Sequence, residues 1–316
     1  MTNLQKALET FQTHYATRLG TINLTQQDFP PVKEYYYFDN DLLLRPGNGP
    51  RILYHGQPTE HVMVLTHGLS DSPHYLLAVA KRFYKEGCNV ILTLLPAHGL
   101  KDPDEAMEDK SLDSKWKACI DNGVETAKML GEKISVGGFS TGGALSLNKI
   151  LRDPEQISGG LFLFSGALSV GSAAEKAGRL RFIQSITRVA DGKLPGIGQN
   201  PFKYPRLPNF AGLELTQIIN ENNRKLNGFK INQPAIAAHS IHDTTAYASG
   251  ITSFIEDHVK RGSAIFIAQD VPHSHLPLDV DIELDLTEEL GPETPPTANP
   301  QFEWMMDGII RFFRTI

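Results

Sequence analysis

Apolar residues recur along this chain with two alternating periods. Leu4, Leu8, Phe11, Tyr15 and Leu19 fall three or four apart, which predicts an amphipathic helix over residues 3–19. The aromatic and β-branched runs Glu34 to Phe38 and Arg51 to Tyr54 follow, separated by Pro46-Gly47-Asn48-Gly49-Pro50, and read as a hairpin. From there short apolar runs at 61–65, 90–95, 133–137, 161–164, 234–238 and 264–268 read as buried strands, with helical stretches near 75–86, 112–130, 144–151, 248–260 and 302–313 between or after them. Strands that alternate with helices predict an α/β fold whose mostly parallel sheet is covered on both faces.

One stretch breaks the rhythm. Between about residues 171 and 230 no strand run occurs, and helical segments are interrupted by Pro195, Pro201, Pro205 and Pro208. The expected organisation is a core built from 1–170 and 231–316, with 171–230 inserted as a helical cap and 1–60 forming an N-terminal extension plus the first strands. A second long segment, 277–300, is rich in acid and proline and reads as a solvated loop.

The chain has 316 residues, enough for one large α/β domain with an insertion. A net charge of -6 leaves no basic surplus for nucleic acid. Two cysteines, Cys88 and Cys119, are too few for a disulfide framework, and neither lies in a metal-type cluster. The N-terminus does not read as a signal peptide, and no run reaches the roughly 18 apolar residues of a membrane span, so a cytoplasmic protein without stable membrane insertion is expected. Composition does not predict an oligomeric state.

The residues that predict chemistry begin with Gly138-Phe139-Ser140-Thr141-Gly142-Gly143, placed between a strand and a helix. A strand that turns sharply into a helix lifts its central side chain outward, and small residues at Gly138 and Gly142 make that turn possible. Ser140 is the expected nucleophile. A hydroxyl needs a base to take its proton and a carboxylate to hold that base, in the chain order nucleophile, acid, histidine. Asp243, just past a strand end, is the expected acid, with Asp270 its rival. Past the last strand, His273 is the expected base and His275 the alternative. The oxyanion of a tetrahedral intermediate needs two backbone donors. Thr141 N–H follows the nucleophile, and Leu69 N–H follows the strand that ends at His67-Gly68. His239 and His242 flank Asp243 but lack the geometry and the third ligand of a metal site, so no metal is expected.

Taken together, these segments, with Leu95-Pro96-Ala97-His98-Gly99, resemble the α/β-hydrolase superfamily, and within it the carboxylesterase and monoacylglycerol-lipase-like branch. The resemblance implies an eight-stranded core, a cap after the sixth strand, and a cofactor-free acyl-enzyme mechanism on a small-molecule acyl ester, with lipid-derived esters among the candidates. The same residues would also serve a thioesterase, an amidase or an acyltransferase, and a non-catalytic ligand-binding member of the fold is a further alternative. His98, where the family tends to have Gly-His-Gly, is expected to shape the pocket rim or to pack against Gly68.

Overall fold

The computed structural model describes residues 2–168, 201–204, 209–243, 245–269, 271, 273, 276–277 and 299–316. Its centre is one sheet of β1 (Asn23–Phe29), β2 (Val32–Asp39), β3 (Arg51–Tyr54), β4 (Thr59–Thr66), β5 (Asn89–Thr93), β6 (Gly131–Phe139), β7 (Leu161–Phe164), β8 (Ala235–Ser240) and β9 (Gly262–Ile267). The strand order is β1-β2-β3-β5-β4-β6-β7-β8-β9. β1, β2, β3 and β5 pair antiparallel, and every pairing from β5 through β4 to β9 is parallel. Among the described residues the sheet thus has nine strands where eight were expected. The extra one is β1, an edge strand of sequence Asn-Leu-Thr-Gln-Gln-Asp-Phe with both faces largely exposed. A strand that covers little of the core, here only through the partly buried Leu24 and Phe29, needs no apolar alternation, so its pattern does not mark it.

Within the parallel half, successive residues face opposite cores. Val62, Val64, Leu161, Leu163, Ala235 and Ala237 enter one apolar cluster, and Met63, Leu65, Phe162, Phe164, Ile236 and Ala238 enter the other. The first cluster is covered by helices α1 (Asn3–Leu19), α4 (Leu112–Ala127), α5 (Thr141–Arg152), α6 (Asn209–Leu226) and α7 (Ala248–His258), and the second by α2 (Leu77–Lys85) and α8 (Phe302–Phe313), with the short α3 (Asp104–Met107) preceding α4. Burial on both faces is why these strands read as continuous apolar runs.

The N-terminal helix is part of this core. Its Thr2 and Gln5 form a capping box that fixes where it starts, and Phe11 meets Tyr15 and Phe38 edge to face at 5.0 and 5.1 Å. Of the segment 171–230, expected to be an insertion, residues 171–200 and 205–208 lie outside the described residues, as do 169–170 before it. What is described is the stretch 201–204, the helix α6 and the residues 227–230 after it. Most of the acidic loop, 278–298, lies outside them as well. Among the described residues no helix is long and apolar enough to cross a membrane.

The chain runs from β4 outward to β5, then returns past β4 to β6. The loops leaving the carboxyl ends of β4 and β6 therefore diverge from neighbouring strands, and an open α/β sheet forms its ligand crevice at such a switch point.

Candidate active site

The β6 register brings Gly138 opposite Thr66, so the turn after β6 begins beside the end of β4. Ser140 stands in that turn at φ 49°, ψ -111°, and it caps α5. A left-handed φ is costly for a residue with a Cβ, on the order of 1–3 kcal/mol, and is kept only where its surroundings enforce it. Here they do. Ser140 N–H donates to Phe164 O at 3.0 Å, and Ser140 O accepts from Gly143, Ala144 and Ala167 N–H at 3.0–3.2 Å. A Cβ at either Gly138 or Gly142 would strike the Thr66 carbonyl oxygen, so both glycines are required by the close approach of β4. Thr141 opens the helix, where an amide has no intrahelical acceptor and the helix dipole favours negative charge.

Asp243 lies three residues beyond β8, and His273 follows β9. The two expected residues meet: His273 Nδ1 donates to Asp243 Oδ2 at 2.6 Å. Asp243 Oδ1 accepts the backbone N–H of Thr245 and Ala246 at 2.8 and 2.9 Å. Burial acts to raise the Asp243 pKa, but the hydrogen bond and charge of His273, with His239 and the Ala246 amide, hold it below the ordinary carboxylate value. An ionised Asp243 fixes the proton of a neutral His273 on Nδ1, which leaves Nε2 with a lone pair. The His273 ring lies against Phe139, the residue before Ser140, at 4.8 Å between centroids. The rivals His275 and Asp270 lie outside the described residues.

The turn after β4 is built from histidine contacts that its sequence did not disclose. His67 is fully buried, and burial, followed by the neighbouring His98, pushes its pKa down to about 3. The Leu95 N–H donates to His67 Nε2 at 3.1 Å, which places the ring proton on Nδ1, and Nδ1 donates to Gly68 O at 2.7 Å. Gly68 O and Leu69 N–H belong to one peptide group. A donor on that oxygen polarises the group and strengthens its N–H as a donor. Gly68 itself has no room for a side chain, because a Cβ would meet Asp71 Oδ2 and the Phe139 ring. His98 is buried, and its Nε2 donates to Leu69 O.

Three residues to which the sequence reading gave no role in the site touch it. His239, wholly buried on β8, donates from Nε2 to Ala246 O at 2.8 Å and lies 3.4 Å from Asp243 Oδ2. His242 points elsewhere, to Ala268 O at 2.9 Å, so the two histidines share no ligand position. Tyr15 of α1 accepts the Leu94 N–H at 2.9 Å, one residue before the amide that holds His67. Lys203 pairs with Asp71 at 2.9 Å. An i, i+4 spacing before the acid could have suggested His239; nothing local points to Lys203 or Tyr15.

A family model described as phospholipase/carboxylesterase matches residues 91–181, a span that includes Ser140. A thermostable monoacylglycerol lipase from Bacillus sp. (strain H-257) is 26% identical over 168 residues, covering 52% of this chain and 64% of that protein, so the alignment spans less than two thirds of the relative. Among solved structures, one reported for the metagenome-derived lipolytic enzymes LipS and LipT is 18% identical and covers 86% of this chain and 100% of its own, with a TM-score of 0.63. The monoacylglycerol lipase of Paleococcus ferrophilus is 16% identical, covers 84% of this chain and 98% of its own, and has a TM-score of 0.58. With the parallel sheet, the strained turn after β6 and the order of its loops, these likenesses establish that the chain has the α/β-hydrolase fold and that its relatives by sequence and fold are lipases and esterases.

Proposed function

We propose that this chain is a serine hydrolase that cleaves carboxylic esters of the monoacylglycerol or simple-ester class through an acyl-enzyme on Ser140. The observation that carries the reading is the 2.6 Å pair of Asp243 and His273, two residues from separate loops that meet beside the strained turn of Ser140. In this reading His273 Nε2 takes the Ser140 proton as Oγ attacks the ester carbonyl, and Asp243 stabilises the imidazolium that forms. Leu69 and Thr141 N–H receive the oxyanion, the first of them polarised by His67 through Gly68 O. His273 then protonates the departing alcohol, and water repeats the sequence on the acyl-enzyme with the same base.

The kinship with lipases and esterases supports the ester as the substrate class. The chemistry needs no metal or cofactor, because a polarised hydroxyl and two amides supply the nucleophile and the charge stabilisation.

The test is labelling with a fluorophosphonate followed by peptide mapping, together with turnover of a p-nitrophenyl ester. The adduct is expected on Ser140, and Ser140→Ala is expected to abolish both labelling and turnover. Undiminished turnover in that variant would remove the proposal.

A further inference from the structure

The turn Gly68–Asp71, which presents the Leu69 amide, is held at three of its carbonyls. Gly68 O accepts from His67 Nδ1 and from the Asp71 N–H, Leu69 O accepts from His98 Nε2, and Ser70 O accepts the Tyr204 N–H at 2.8 Å. The first two histidines come from the core. The last donor comes from 201–204, a stretch of the inserted segment, more than 130 residues away in the chain.

This stretch is clamped residue by residue to the core. Asn48 Nδ2 donates to Pro201 O at 3.0 Å, and Phe202 stacks on His74 with centroids 3.7 Å apart and planes 4° from parallel. Arg45 donates to Lys203 O at 3.5 Å and lies over the Tyr204 ring. The Tyr204 hydroxyl accepts the Leu100 N–H at 2.7 Å and lies 3.2 Å from Ala97 O. With its backbone fixed in this way, Lys203 sends its ammonium group to Asp71 Oδ1 at 2.9 Å, an oxygen that also accepts from Ser70 Oγ at 3.1 Å. The Asp71 side chain is 2% exposed and that of Lys203 28% exposed, and Asp71 Oδ2 lies where a side chain at Gly68 would have to go.

We propose that Lys203 is a positioning residue for catalysis: by neutralising buried Asp71 it fixes the Gly68–Asp71 turn and so the direction of the Leu69 N–H. The inserted segment thereby contributes to oxyanion stabilisation without touching the substrate. The inference rests on the ester-hydrolase reading, in which Leu69 is an oxyanion donor.

The unequal burial of the pair makes a directional expectation. Lys203→Met leaves a carboxylate buried without its cation, which disturbs the turn, whereas Asp71→Asn leaves a lysine that can turn to solvent. Lys203→Met is therefore expected to lower kcat for a p-nitrophenyl ester by about 10- to 100-fold, the range that follows from misplacing or weakening one oxyanion donor, with KM changed by less than about 3-fold. Affinity for an aryl trifluoromethyl ketone, whose adduct with Ser140 carries an oxyanion, is expected to fall in parallel. Lys203→Arg is expected to stay within about 3-fold of the parent, because it keeps the charge. The double variant Asp71→Asn/Lys203→Met is expected to recover much of what Lys203→Met loses.

A Lys203→Met enzyme that is folded and has parental kcat and ketone affinity would overturn the proposal. So would a loss confined to KM. Should Lys203→Met fail to fold, Lys203→Gln, which can still donate a hydrogen bond to Asp71 but carries no charge, makes the same test: a joint fall of about 3- to 10-fold in kcat and ketone affinity supports the role, and no change in either overturns it. Ser140→Ala, assayed beside these variants, separates the two readings. Turnover that survives in it defeats the ester-hydrolase reading, whereas turnover lost there and retained in Lys203→Met defeats only the role of Lys203.

Discussion

Asp243 accepts three hydrogen bonds, one from His273 and two from the backbone of its own turn, and the two kinds of contact separate structure from chemistry. Asp243→Asn can keep the turn, since its carbonyl oxygen can still accept the Thr245 and Ala246 amides. Its NH2 would then face His273 Nδ1 and favour the wrong tautomer. The expected outcome is a fall in kcat on the order of 10⁴ with a melting temperature close to that of the parent. A fall of less than tenfold would show that another carboxylate orients the base. At this scale the sequence was informative where chemistry demands a residue type in a fixed order. The strained turn at Ser140 was legible because only glycines fit beside Thr66 O, and the meeting of Asp243 with His273 because the loops that follow parallel strands gather at one end of the sheet. His67 was legible as part of a His-Gly turn, but its tautomer depends on Leu95 N–H, 28 residues later, which only the folded sheet brings near.

Among the elements, α1 was legible as a helix and illegible as to its use. Its periodic apolar residues define a face, but a face does not name its partner. In the structure Phe11 is fully buried against Tyr15 and Phe38, while Tyr15 satisfies the Leu94 amide at the end of β5. Phe11→Ala is expected to cost about 3–5 kcal/mol of unfolding free energy, measured by urea denaturation, because it empties a site among rings that cannot collapse freely. A cost below about 1 kcal/mol would mean that the helix is an appendage and not part of the core. Strand β1 fails the sequence test for the opposite reason: it pairs through its backbone and buries little, so its side chains carry no signal.

For the whole molecule the buried histidines set a dependence on pH. His67 and His74 are buried, and their pKa values are pushed down to about 3 from an ordinary 6.5, chiefly by burial. Burial lowers His98 and His239 as well. Between pH 6.5 and 3 the unfolded chain thus binds more protons than the folded one. The stability these groups permit is complete above pH 6.5 and is lost as pH falls through that window. From pH 7 to pH 5, His67 and His74 are each expected to remove roughly 2 kcal/mol of unfolding free energy. Urea unfolding at the two pH values checks this, and His74→Phe, which preserves the stack on Phe202, is expected to reduce the difference by about the share of one histidine. Equal stability of the parent at pH 5 and pH 7 would contradict the neutral burial of these rings.

What the sequence determined by itself is whatever follows from local periodicity and local sterics: buried strands alternating with helices, hence a covered parallel sheet, and a serine on a glycine-flanked bend. These need no knowledge of distant residues, since a backbone period or a steric limit acts within a few positions. Tertiary structure alone decided which donors hold the Gly68–Asp71 turn, that Lys203 pairs with Asp71 and that α1 braces the end of β5. Such contacts join residues that are dozens to more than a hundred positions apart, and each depends on burial and charge that exist only after the sheet has assembled.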